Sequence, residues 1–230
     1  MMRTRIKICG ITRPEDAASA ASAGADAIGV ICHPAARRYV LPEVAREIIA
    51  AAGPLVTPVG VFVDQSAEDI RRLADVLRLG VVQLNGRQRP THAAELSRHG
   101  LWVLRAVPVR KGWTAQIIAW RQAAAAVVLE SAVKGSAGGS GVPNDWQVVM
   151  RALNRGRVPA DVRLVAAGGL TPDNVADVVR AIRPWAVDVS SGVESEYGRK
   201  SPEKIRAFIM AVRQAEMEQT AAISQTERKT

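Results

Sequence analysis

The stretch 165–194 reads VAAGGLTPDNVADVVRAIRPWAVDVSSGVE, two short apolar runs that each end in small residues, joined by one amphipathic segment. The first run stops at Gly168 and Gly169, the second at Ser190, Ser191 and Gly192. Where a strand turns toward a helix, small residues leave backbone N–H groups uncovered, and such groups hold anions. In a βαβ unit both strand ends fall on the same side of a parallel sheet, so the two turns converge on one ligand. Either turn alone reads as an ordinary glycine turn. Two in consecutive units, with Asp188 inside the second run, point to a phosphate site. A (β/α)8 barrel builds such a site after its seventh and eighth strands. Six similar units are therefore expected upstream.

The chain is long enough for them. At 230 residues, 48% of them hydrophobic, it can bury the core of one α/β domain of barrel size. It has two cysteines, Cys9 and Cys32, and neither a signal-peptide pattern nor an apolar run of membrane-spanning length, so a reducing cytoplasm is the expected setting. The net charge of +9 suits nucleic acid, a membrane surface or a small anion equally well. The basic residues are scattered, aromatics are few, and no recognition helix, RNP strand or zinc knuckle is present, so neither nucleic acid nor membrane is an expected partner. His33 has no His, Cys or carboxylate at ligand spacing, so no metal is expected either.

Read in order, the chain gives a strand over 5–10 and a helix from Pro14, then a strand over 27–32 and a helix over 42–52. A third strand covers 59–64, with a helix over 67–79 whose Ile70, Leu73, Ala74 and Leu77 form the buried stripe. The fourth strand, 81–86, alternates Gln83 and Asn85 with apolar neighbours, as a strand with one face in a barrel mouth must; both amides could equally be satisfied groups of the barrel interior. A strand over 102–109 with a helix over 114–123 follows, then a strand over 126–130 that ends on Glu130, a carboxylate costly to bury unpaired. The glycine-rich stretch 134–141 reads as a lid or phosphate cradle in the middle of the domain. Asp145 opens the sixth helix, 162–167 is the seventh strand, a helix starts near 173, and 186–189 is the eighth strand. The last helix starts at Pro202 with Ile205, Phe208, Ile209 and Val212 inward. The barrel is expected over 1–215, with 216–230 as a polar, frayed tail. The fold class is thus α/β, a single-domain (β/α)8 TIM barrel. At its catalytic rim a cysteine ending a strand, such as Cys9, faces substrate, and the Arg37–Arg38 pair is a candidate carboxylate clamp.

The motifs KICGIT at 7–12, Arg38-Tyr39-Val40, Gln83-Leu84, GGSG at 138–141 with Asp145-Trp146, Gly168-Gly169-Leu170 with Asn174-Val175, and DVSSGVE at 188–194 together resemble the phosphoribosylanthranilate isomerase family of tryptophan biosynthesis. The resemblance runs from Lys7 to about Phe208. It implies a cofactor-free Amadori rearrangement of N-(5-phosphoribosyl)anthranilate to 1-(2-carboxyphenylamino)-1-deoxyribulose 5-phosphate, by a monomer or homodimer. By resemblance Cys9 is the base that removes the C2′ proton, and Glu130 occupies the place of the acid that opens the sugar ring. Arg38 falls on the anthranilate carboxylate, Asp188 on a sugar hydroxyl and Asn85 on a further substrate-facing position. Gly168, Gly169, Ser191 and Gly192 fall on the phosphate cradle, with Gly139 and Gly141 reaching toward it. A free thiol has a pKa of about 8.5, so a cation such as Lys7 or a helix N-terminus is expected to assist Cys9.

The departures cluster on one side. The family carries aspartate where this chain has Glu130 and histidine where it has Asn85. It also has an aromatic at the place of Cys32 and a proline at that of Arg37. An extra methylene moves a carboxyl on the order of 1 Å, and misplacement of that size costs roughly 10²-fold in rate. Two other readings follow: a diverged member acting on a different phosphorylated amino-sugar, and a non-catalytic phosphate-ligand-binding barrel.

Overall fold

The computed structural model of the chain describes residues 3–131 and 144–227. Eight parallel strands close into one barrel in sequence order: β1 (Arg5–Ile8), β2 (Ala27–Ile31), β3 (Thr57–Val63), β4 (Val81–Asn85), β5 (Trp102–Pro108), β6 (Ala126–Glu130), β7 (Leu164–Ala166) and β8 (Ala186–Val189). The seam pairs β1 with β8 in the register Lys7 to Asp188. Around it run α1 (Pro14–Ala23), α2 (Pro42–Ala52), α3 (Ala67–Leu77), α4 (Pro90–Arg98), α5 (Trp113–Trp120), α6 (Trp146–Asn154), α7 (Val175–Ile182) and α8 (Pro202–Glu227).

The period-two alternation of each strand sorts its residues into two cores. Ile6, Ile8, Leu84, Val127, Leu129, Val187 and Val189 face outward and pack with helix residues such as Ile70, Leu96, Val179 and Phe208. Val59, Leu104, Ala126, Val128, Val165 and Ala186 fill the barrel interior. The parity that sends Ile6 and Ile8 out sends Lys7 and Cys9 in. The same rule turns Asn85, Glu130 and Asp188 into the mouth.

Helix ends follow local chemistry. Pro14, Pro42 and Pro90 occupy first turns, where their missing N–H groups cost nothing. Ser66 accepts from the Asp69 amide at the start of α3, and Asp145 caps α6 through the amides of Gln147 and Val148. The structure departs from the expectation in four places. Helix α4 was not resolved from the sequence, and α3 ends at Leu77 because Arg78 turns left-handed, φ 53°. An antiparallel hairpin, β9 (Glu194–Glu196) with β10 (Arg199–Lys200), follows β8. The boundary expected at 215 is absent: α8 continues to Glu227, held by buried Gln219, which donates to Val179 O at 3.0 Å, and by the Arg180–Glu218 ion pair at 2.8 Å.

Candidate active site

At the C-terminal mouth, β1 and β8 meet in a buried ion pair, Lys7 Nζ to Asp188 Oδ2 at 2.8 Å. Burial alone would lower the Lys7 pKa, but Asp188 and the neighbouring Cys9 outweigh it, so the ammonium stays charged well above its ordinary range. Asp188 Oδ1 is buried and has no hydrogen-bond partner among the described residues. An acceptor left open in that position can take a hydroxyl from a sugar.

Cys9 follows β1 and is buried. A Cβ on Gly29 of β2 would come within 2.7 Å of its Sγ and 3.2 Å of Lys7 Cε, so the thiol and the lysine stem occupy the space that the glycine leaves. Burial pushes the thiol pKa up, Lys7 pulls it down, and Asp188 adds to the rise. The expected cation is thus present, yet burial outweighs it and favours the protonated thiol. Cys32 lies on the other face of the barrel wall, in the helix-packed core, with its Sγ 3.7 Å from Val30 O and its pKa pushed up to about 12 by burial.

Across the mouth, Gln83 Nε2 donates to Asn85 Oδ1 at 3.0 Å, and Asn85 Nδ2 donates to Glu130 Oε1 at 3.0 Å. The two amides therefore form a relay ending on the carboxyl, which selects the mouth-facing reading of β4. Burial raises Glu130 to about 7. Asn85 lowers it, Asp188 raises it, and Lys7 and Arg105 lower it. A carboxyl in that range can donate a proton near neutrality.

Arg38 of the β2–α2 loop is buried, and its Nε and Nη2 grip Glu194 Oε1 and Oε2 at 2.8 Å each. Lys200 of β10, with a side chain fully out of solvent, donates to the same Oε1 at 2.9 Å and to Ser190 O at 3.0 Å. Burial by itself would raise Glu194, but the two cations hold it down at about 2, so it is charged throughout the working range. The Arg38 guanidinium lies 4.3 Å from the centre of the Tyr197 ring, with its remaining N–H edge unassigned to any acceptor among the described residues. Arg37 is exposed and stacks on the same ring at 3.9 Å, so the expected two-arginine clamp reduces to Arg38.

The small-residue turns adjoin this network. Gly168 (φ 88°) and Gly169 (φ 64°) are both left-handed, and Asn174 pins their loop by donating to Gly169 O at 2.9 Å and accepting from Thr171 N at 2.8 Å. A Cβ on Gly192 would lie 1.8 Å from Leu170 O, so the turns after β7 and β8 touch there. Among the described residues, no backbone acceptor takes the amides of Gly168, Gly169, Ser191 or Gly192. Asn144 ties the two neighbouring strand ends by donating to Leu129 O at 3.1 Å and Ala167 O at 2.7 Å. Gly139 and Gly141 lie outside the described residues.

Glu194, Lys200, Tyr197, Asn144 and Arg105 had no role in the sequence reading. Only Arg105 left a signal, a charge inside the apolar run VLRAV. No group of His, Cys, Asp or Glu able to hold a metal occurs among the described residues.

Residues 6–211 match the family model described as N-(5'phosphoribosyl)anthranilate (PRA) isomerase. The chain is 41% identical to the N-(5'-phosphoribosyl)anthranilate isomerase of Trichlorobacter lovleyi over 92% of this chain and 98% of that one. Its fold is similar to the crystal structure of phosphoribosyl anthranilate isomerase from Thermotoga maritima, with TM-score 0.81 and 34% identity over 91% of this chain and 98% of that one. It is also similar to a structure of the isomerase in complex with reduced 1-(o-carboxyphenylamino)-1-deoxyribulose 5-phosphate, with TM-score 0.78, 34% identity and the same coverage.

Proposed function

Because the chain belongs to the N-(5'-phosphoribosyl)anthranilate isomerase family, we propose that it opens and isomerises phosphoribosylanthranilate with Glu130 as acid and Cys9 as base. The observation that carries this is the carboxyl of Glu130, raised to about 7 and held by Asn85 in the same mouth as a cysteine beside a buried ammonium. Glu130 delivers its proton to the furanose ring oxygen. The C1′–O bond breaks as the anilinic nitrogen lone pair forms the C1′=N bond of a Schiff base. The Cys9 thiolate takes the proton from C2′, and its electron pair flows toward nitrogen to give an enolamine. The C2′ hydroxyl proton passes to the Glu130 carboxylate and the Cys9 thiol gives its proton to C1′, which completes the aminoketose and restores both groups. Charge is balanced throughout, and no step needs a cofactor.

The remaining residues bind. The open edge of Arg38 takes the anthranilate carboxylate, with Glu194 and Tyr197 orienting it. Asp188 Oδ1 accepts a ribose hydroxyl. Gly168, Gly169, Ser191 and Gly192 cradle the phosphate with their amides, joined by Gly139 and Gly141 of the glycine-rich stretch. In this reading Asn85 serves the substrate pocket by fixing the acid. No helix among the described residues is long and apolar enough to cross a membrane.

Substitution of Cys9→Ser tests the base. Turnover should fall by at least about 10³-fold while binding of a product analogue changes little. Turnover within tenfold of the parent removes Cys9 from the mechanism.

A further inference from the structure

Arg105 stands out among the charged side chains of this fold. It lies on β5, beside Leu84 in the ladder, and so shares the outward parity of that residue. It is buried between barrel and helices, with its guanidinium 4.6 Å from the centre of the Trp120 ring of α5. Among the described residues no carboxylate lies within ion-pair distance of it, and Glu130 and Asp64 act on it only through the longer-range field. Its Nη1 donates to Leu84 O at 3.3 Å, its Nη2 donates to Gly86 O at 2.7 Å, and its Nε has no partner among the described residues. A full charge placed in an apolar layer without a contacting carboxylate is a costly choice for a residue that only fills space.

The two carbonyls it holds belong to the residues on either side of Asn85. That amide ends β4 and donates to Glu130. Gly86 is left-handed, φ 101°, so the chain leaves the strand directly after Asn85, whose carbonyl accepts from Asp64 N at 3.3 Å on the β3 side. The guanidinium fork adds a second restraint on the β5 side, from outside the barrel wall.

We propose that Arg105 is a positioning residue for the proton donor: by gripping the carbonyls of Leu84 and Gly86 it fixes the strand end from which the Asn85 amide holds the Glu130 carboxyl in the mouth. Its charge acts in the same direction. Glu130 faces Asn85 from β4, Asp188 from β8 and Lys7 from β1, and Arg105 adds a lowering field from β5. Arg105 itself is opposed by burial and supported by Glu130 and Asp64. Removing Arg105 therefore weakens two of the influences that keep Glu130 from rising further.

The inference rests on Glu130 as the acid, and the experiment separates the two. In Arg105→Met the limb of the kcat/KM profile near pH 7 should move upward by about 0.5 to 1 pH unit, with kcat down roughly tenfold and KM changed less than about threefold. Arg105→Lys keeps the charge but loses the planar fork, so it should fall between Arg105→Met and the parent. An NMR titration of side-chain carboxyls, with Glu130 assigned by its loss in Glu130→Gln, should show the same upward shift without any turnover. A folded Arg105→Met with the parent's limb and the parent's Glu130 titration overturns the proposal and leaves Arg105 a packing residue. If Arg105→Met does not fold, Arg105→Lys decides: parental kcat and parental titration overturn the proposal, while a reduced kcat with a displaced titration supports it. Activity retained in Glu130→Gln would instead overturn the catalytic reading, while the titration would still report the hold of Arg105 on the carboxyl.

Discussion

Glu130 destabilises the fold whenever it ionises. Its folded pKa of about 7 lies above the ordinary carboxylate value of 4.5, so between those pH values the folded state keeps a proton that the unfolded chain has lost. Stability accordingly declines as pH rises through that window, by on the order of 3 kcal/mol in full. Glu130→Gln should thus be more stable than the parent at pH 8 by up to that order and equal to it at pH 4. Urea denaturation at the two pH values checks this, and equal increments at both would contradict the burial of the carboxyl. Cys9 adds a second consequence. Because its thiol titrates above Glu130, the pairing of thiolate with protonated carboxyl that the proposed mechanism needs is the minority form of the free protein. Two groups in that order give a kcat/KM plateau bounded near pH 7 below and by the thiol above. A profile that falls steadily from pH 7 upward would show that the thiol titrates first.

At the scale of elements, the hairpin of β9 and β10 joins the two ends of the proposed substrate site. Lys200 holds Ser190 beside the proposed phosphate turn, and through Glu194 it shares a carboxylate with Arg38 at the proposed aglycone end. Glu194→Gln removes the charge that balances both cations. It should raise KM about tenfold or more, equivalent to at least ~1.4 kcal/mol, with a smaller effect on kcat, and should cost about 3 kcal/mol of stability because two buried cations lose their partner. Steady-state kinetics beside thermal unfolding would check both, and an unchanged KM would detach Arg38 from substrate binding. None of this was legible beforehand. The motif ending in Glu194 was visible, but its partner Lys200 lies in a hairpin whose short strands, Glu194–Glu196 and Arg199–Lys200, carry no apolar alternation. Arg38 was legible as a clamp by its residue type. Its separation from Arg37 was not, since only the packing around Tyr197 distinguishes the two.

For the molecule as a whole, the barrel was legible because each strand alternates or runs apolar and ends on small or polar residues. The strand of Glu130, Ala126–Glu130, and the eighth, Ala186–Val189, fall where the pattern put them. Once eight strands are granted, parity alone decides that Cys9, Asn85, Glu130 and Asp188 share one mouth. What parity cannot give is the pairing inside that mouth, such as Lys7 with Asp188, because it depends on the stagger by which the barrel closes. The end of the domain was also misjudged. Polar composition after residue 215 reads as a tail, yet Arg213 pairs with Glu216 at 2.8 Å and with Asp26, and Gln219 and Glu218 reach back to α7. Truncation after Ala215 should therefore lower the thermal midpoint by several degrees, consistent with a loss of roughly 1–2 kcal/mol; an unchanged midpoint would make 216–230 dispensable.

The two thiols stand on opposite faces of the barrel wall, Cys9 over Gly29 in the mouth and Cys32 among the helix-packed side chains. Oxidants therefore find no partner with which to lock the site shut by an internal disulfide. Cys9 is buried at the mouth, so in the proposed mechanism substrate bound there would compete with electrophiles and peroxides for it. Burial holds its pKa up, and the protonated thiol it favours is the less reactive form toward such reagents.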